Sequence, residues 1–226
     1  MQNIKAYIFL ILCTFFWAGN FIVGKVATLF EIPPFTLNFY RWLIAFLILF
    51  PFTYKKIFEG FDEIKKKIVP LSIMGFTSIT IFNSIVYYSL NFTQVLNGVL
   101  MISTIPVLII FFSSCFTNER IKFTQITGVA TSLFGVLIII TKLEINKLLS
   151  LSLNRGDLWI LVAMISWATY SIMVKEKKIN LSPFALLETL IFIGLLFLIP
   201  FYLYEIYSEK YLLINIPVIL TIGYVV

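Results

Sequence analysis

Three observations predict an all-α polytopic membrane protein, built from inverted five-helix repeats of which the second is incomplete. The first is composition: 60% of the 226 residues are hydrophobic and 12% are charged, a balance that no ordinary water-soluble domain matches. The mean hydropathy of +1.00 agrees. The second is that the apolar residues fall in runs of about 20, the length of a helix that crosses a bilayer. The third is an internal repeat. Trp17-Ala-Gly-Asn-Phe-Ile-Val-Gly-Lys25 returns as Trp167-Ala-Thr-Tyr-Ser-Ile-Met-Val-Lys175, and the same offset of 150 pairs Pro33 with Pro183, Leu37 with Leu187 and Tyr54 with Tyr204 without a gap. An interfacial Trp and a snorkelling Lys account for each copy alone, but not for the fixed spacing to the following Pro.

The runs define seven complete spans and the start of an eighth. Ala6 to Val26 follows Lys5 and reads as an uncleaved first helix. Phe35 to Tyr54 opens after Pro33-Pro34 and stops at Lys55-Lys56; between Phe58 and Lys67 a short amphipathic surface helix is expected. Ile68 to Leu90 and Gln94 to Phe116 are separated by a short polar turn, and Phe123 to Thr141 lies between Lys122 and Lys142. Asp157 to Val174 runs from Arg155 to Lys175, and Pro183 to Tyr204 opens on a proline suited to a helix start. The eighth begins near Pro217 and meets the terminus at Val226 after half a span.

An offset that contains five spans is odd, so the second copy enters the membrane from the opposite side. The expected units are 1–146, a first five-helix repeat, and 155–226, an incomplete second one. Alternating the loops puts Lys5, the lysines between Lys55 and Lys67, Arg120, Lys122, Lys175, Lys177 and Lys178 on one side. The other side keeps Lys25, Arg41, Lys142, Lys147, Arg155 and Lys210. The positive-inside bias then predicts a cytoplasmic N-terminus in a cell (inner) membrane. Read this way, the net charge of +6 is a topology signal and not a nucleic-acid footprint.

The segment from Asn83 to Ile140 resembles the drug/metabolite transporter superfamily, in particular its EamA-like members. The likeness rests on Pro106, the Glu119-Arg120 pair, Gly128 and Gly135, with Trp17, Pro33-Pro34 and Arg41 fitting the opening of such a repeat. It implies ten helices in two repeats, and export or exchange of metabolites such as amino acids, nucleotide sugars or drugs. The residues also have readings of their own. Glu119-Arg120 suits a cytoplasmic helix end. Gly128, Ser132 and Gly135 share a face on which another helix backbone can approach. Pro106 frees a carbonyl that a neighbour or cavity water must satisfy.

Candidate substrate-cavity residues come from polar stripes. In the third span Thr77, Thr80, Ser84, Tyr87 and Asn91 recur at helical spacing, with Asn83 and Tyr88 at the edge. The fourth adds Gln94, Asn97, Met101 and Thr104; the first adds Trp17 and Asn20; the sixth adds Trp167 and Tyr170. Such a stripe either bonds a packed helix or lines a wet cavity. Amide and hydroxyl groups beside broad aromatic surfaces suit a small organic solute better than a bare ion.

Two charged residues lie inside spans. Arg41 either snorkels to the outer surface or binds an anion. Glu188 either reaches back to the helix start near Ser182 and Pro183 or exchanges a proton during transport. Exchange or facilitated diffusion is the default expectation. No metal or cofactor is expected: the chain has no His, and Cys13 and Cys115 lie in apolar segments.

The leading reading is a secondary transporter of a small organic metabolite. The alternative is a non-transporting membrane fragment or interaction subunit, which the stop within the eighth span favours. An enzyme is not expected, because no loop holds paired carboxylates or a nucleophile arrangement. The expected contacts are a small-molecule substrate and the lipid bilayer, without nucleic acid. Either a homodimer partner or a missing C-terminal segment would cover the open second repeat, and without it the 226-residue chain is not expected to transport alone.

Overall fold

In lipid a backbone must satisfy its own polar groups, and an unbroken helix does so within one segment. The computed structural model describes residues 2–117, 121–141, 154–208 and 216–226. Its elements are α1 (Gln2–Leu29), α2 (Pro34–Glu59), α3 (Phe61–Lys66), α4 (Ile68–Gly75), a π-helical segment (Phe76–Phe82), α5 (Asn83–Ser89), α6 (Val95–Ile102), α7 (Ile105–Phe116), α8 (Phe123–Thr141), α9 (Arg155–Lys177), α10 (Pro183–Tyr207) and α11 (Ile216–Val225). Among the described residues six stretches are long and apolar enough to cross a membrane: Ile4–Leu29, Pro34–Glu59, Ile68–Ser89, Val95–Phe116, Arg155–Lys177 and Pro183–Tyr207. The protein is an all-α polytopic membrane protein. The expectations for Glu119-Arg120 and for Lys142, Lys147 and Lys210 fall outside the described residues.

The helix ends are built from sequence-local chemistry. Asn154 and Asp157 form a capping box at the start of α9, each side chain taking the other's backbone N–H. Pro34 opens α2 and Pro183 opens α10, where a missing N–H costs nothing. The surface helix between Phe58 and Lys67 is present as α3, one and a half turns long.

Two spans are less regular than their hydropathy suggests. The third changes from α to π winding over Phe76–Phe82 and back. The fourth is split into α6 and α7 at Ser103 and Thr104, just before Pro106. The Thr104 hydroxyl folds back onto the Met101 carbonyl at 2.6 Å, beside the Thr104 N–H at 3.0 Å, and closes the turn at the break.

The most extensive packing joins α2 to α10. They run antiparallel: Phe35 stacks on Phe201, Phe39 on Tyr202, and Phe46 meets Phe192. At one end of the bundle Lys25 Nζ donates to the Leu90 and Thr93 carbonyls at 2.6 and 3.0 Å, and Thr93 Oγ1 donates to Asp157 at 2.6 Å. At the same end Glu205 accepts the Phe35 and Thr36 N–H groups. At the other end Glu63 accepts from Asn180 N at 3.2 Å. The loops therefore sort onto two ends, as alternate crossing requires.

The face of small residues on α8 differs from expectation. A methyl group added at Gly128 or Gly135 would meet nothing within 4 Å, and Ser132 is exposed. Among the described residues no helix backbone approaches this face.

Candidate functional site

The π segment is where the bundle concentrates polar contacts. A wider π turn aims its carbonyls away from the ordinary i→i+4 donors, so they need other partners. Three consecutive ones receive side-chain donors: Ser166 Oγ to Thr77 O at 2.8 Å, Asn83 Nδ2 to Ser78 O at 3.2 Å, and Asn38 Nδ2 to Ile79 O at 2.9 Å. Winding of this kind inside a helix recurs at functional sites.

Just beyond it lies a buried polar cluster. Asn83 Oδ1 accepts from Arg41 Nη1 at 2.8 Å, and the Tyr87 hydroxyl accepts from the same nitrogen at 2.7 Å. Tyr87 donates in turn to Asn20 Oδ1 at 2.8 Å, which also lies 3.4 Å from Arg41 Nη1. Asn20, Asn83 and Tyr87 are all buried. Arg41 is thus turned into the bundle between α1, α2 and α5, and not out to the surface.

An aromatic cluster adjoins it through the chain itself, since Trp17 is one turn from Asn20 and Phe82 precedes Asn83. The Trp167 ring lies 5.8 Å from Trp17, 4.5 Å from Phe82 and 5.1 Å from Tyr170, in tilted pairs. Met101 packs against the same core.

The remaining candidates do other things. Thr80 donates to the Gly194 carbonyl at 2.8 Å and Ser84 Oγ accepts from Asn38 Nδ2 at 2.8 Å, so both join helices. Thr104 serves its own turn, and Asn97 is half-buried on α6. Asn38, wholly buried, is a site residue that the sequence reading missed, because one amide beside Arg41 on an apolar helix makes no polar stripe.

Glu188 does not reach back to the helix start. There Ser182 Oγ accepts the Ala185 N–H, while the Glu188 carboxyl is fully buried with neither oxygen hydrogen-bonded. Of the buried carboxylates described, Asp157 and Glu205 cap helices; only Glu188 lacks a partner. A buried carboxyl without a partner loses its hydration in either protonation state, so the fold is expected to lose no stability when it is removed. Glu188→Met is expected to melt in detergent at or above the wild-type temperature. A clear fall would reveal a stabilising partner.

Among the described residues no group of His, Cys, Asp and Glu is placed to hold a metal ion. The arrangement offers instead one cation, neutral amides and hydroxyls, and aromatic faces, which is equipment for binding a small solute.

The model of the EamA-like transporter family matches residues 4–141 and 154–226. The chain is similar to the uncharacterized transporter YyaM of Bacillus subtilis (strain 168), 26% identical over 222 residues, which cover 96% of this chain and 70% of that one. An uncharacterized transporter of Archaeoglobus fulgidus is 27% identical over 201 residues, 88% of this chain and 68% of its own. The uncharacterized transporter YetK of Bacillus subtilis (strain 168) is 27% identical over 231 residues, 99% of this chain and 67% of its own.

Proposed function

The chain belongs to the EamA-like transporter family, and on that premise we propose that it is a secondary transporter moving a small organic metabolite by alternating access between inverted repeats. It exports or exchanges its substrate across the cell membrane, with the N-terminus in the cytoplasm. One observation carries the reading: Trp17 and Trp167, the same position in the two copies, stand ring to ring at 5.8 Å. Equivalent residues of inverted repeats meet only near the axis that relates them, at mid-membrane, where such transporters hold substrate. The antiparallel pairing of α2 with α10, which also occupy equivalent places in the two copies, supports the same axis.

The substrate cavity is assigned to Trp17, Asn20, Asn83, Tyr87, Met101, Trp167 and Tyr170, with Asn97 at its margin. Thr80, Ser84 and Thr104 hold the wall. Alternating access requires that this region face each side of the membrane in turn.

Cysteine labelling tests both parts of the proposal after Cys13 and Cys115 are replaced by serine. A Glu31→Cys probe is expected to react with an impermeant reagent from outside, and Lys65→Cys only from inside. Tyr170→Cys is expected to react from either side. A Lys65 probe open to the outside would reverse the topology, and a Tyr170 probe that reacts from one side under all conditions would end the alternating-access reading.

A further inference from the structure

Arg41 is a cation held inside the bundle by neutral groups alone. Its three acceptors, Asn20, Asn83 and Tyr87, are neutral, and Nη1 alone serves all of them. Nη2 and Nε have no partner among the described residues. No described carboxylate pairs with the group either. Glu205 lies at the start of α2 and Asp157 at the start of α9. On α10, Arg41 falls level with the stretch between Tyr202 and Phe192, because Phe39 and Phe46 flank it; Glu188 lies past Phe192, farther along. An unpaired cation within a span is costly, and where it persists it marks a substrate or ion path.

The geometry points to Arg41 as the receptor for the carboxylate of an organic acid, with the Trp17, Phe82 and Trp167 cluster taking the acid's apolar body. This rests on the transport reading of the same site and adds the class of its substrate. Three features carry it. The guanidinium Cζ stands 4.9 Å from the centroid of the Trp42 ring, so the cation is held beside an aromatic surface. The free N–H groups on Nη2 and Nε are the fork that a carboxylate engages with both oxygens. The oxygens of Asn20, Asn83 and Tyr87 hold Nη1 and so fix the fork's direction. A single cation beside aromatic rings suits a monoanion with an apolar body; a phosphate dianion calls for more donors than stand here.

The test uses the 226-residue chain in detergent and the fluorescence of its four tryptophans, three of which, Trp17, Trp42 and Trp167, stand at the site. It is titrated with phenylacetate, hexanoate and indole-3-acetate, and with phenylacetamide, a neutral molecule of phenylacetate's shape. At least one carboxylate is expected to saturate, and phenylacetate to bind about tenfold or more tighter than its amide. Arg41→Gln is expected to abolish that preference, and Arg41→Lys, which keeps the charge but not the fork, to reduce it. Equal binding of acid and amide by the wild type overturns the inference whether or not the variants fold. So does the absence of binding by every carboxylate, or competition by inorganic phosphate as strong as by phenylacetate. Carboxylate binding with a Tyr170 probe open to one side only would keep the anion site and sink the transport reading. The converse pair of results would do the reverse.

Discussion

Gly194→Leu is expected to yield little or no monodisperse protein, the largest effect of any single substitution considered. At this residue α10 crosses the third span with backbone against backbone. A side chain begun at Gly194 would overlap Ile79 and stand 3.0 Å from the Gly75 carbonyl, while one at Gly75 would stand 3.0 Å from the Leu190 carbonyl. In lipid, helices hold together by such close approach and not by a hydrophobic difference from their surroundings. A leucine forces the crossing apart, which separates Ile79 from Leu190, Ile191 and Ile193 in one buried cluster and breaks the bond from Thr80 to the Gly194 carbonyl. Overpacking of this kind costs about 3 kcal/mol or more where backbone must move. Gly223→Leu is the control, since nothing lies within 4 Å of its added methyl. The measurement is size-exclusion yield and melting temperature in detergent. A Gly194→Leu protein that melts with the control would refute the crossing.

Glu205→Ala is expected to cost about 2 to 3 kcal/mol, the range for losing charge-assisted hydrogen bonds from a helix start. Because α2 begins on Pro33-Pro34, it has no side-chain cap of its own. Glu205, 169 positions from Thr36, supplies one: its carboxylate accepts the Thr36 N–H at 2.7 Å, the Phe35 N–H at 3.2 Å and the Thr36 hydroxyl at 3.0 Å. A negative group there also faces the positive end of the α2 dipole. Glu205→Gln, which keeps one acceptor oxygen without the charge, is expected to lose about half as much. Melting of the three proteins side by side decides this. An unchanged temperature in Glu205→Ala would mean that water replaces the cap at no cost.

Both substitutions act through contacts that sequence order conceals, and this separates what the chain states openly from what it does not. Hydropathy exposes the spans because the bilayer imposes one length on each helix and leaves its backbone no partner but itself. The described spans accordingly open and close within a few residues of the positions expected from charges and prolines, as with Pro34 and Pro183. One departure has a local cause, the winding of the third span. The Thr77, Thr80, Ser84 and Tyr87 stripe was read at 3.6 residues per turn, but Phe76–Phe82 is wound as a π helix. The stripe is therefore shared among three neighbours: Thr80 bonds α10, Ser84 bonds α2, and Tyr87 meets Asn20 of α1.

By itself the sequence determined the membrane, the order of the described spans, the family, and the candidate standing of Trp17, Asn20, Arg41 and Trp167, since each of these is written in local composition or in a motif. Of the seven complete spans expected, six are long and apolar enough to cross among the described residues, and Phe123–Ile138 is a shorter apolar helix. Only the tertiary structure decided which helix each polar side chain answers to. That Arg41 turns inward to Asn83 and Tyr87, that Asn38 serves the π turn, and that Glu188 stays buried without a partner are set by the rotation of whole helices against one another. The rotation is fixed by close packing at points such as Gly75 against Gly194. No periodicity within a single span contains it, because a helix in lipid is apolar on nearly every side and leaves its orientation to its neighbours.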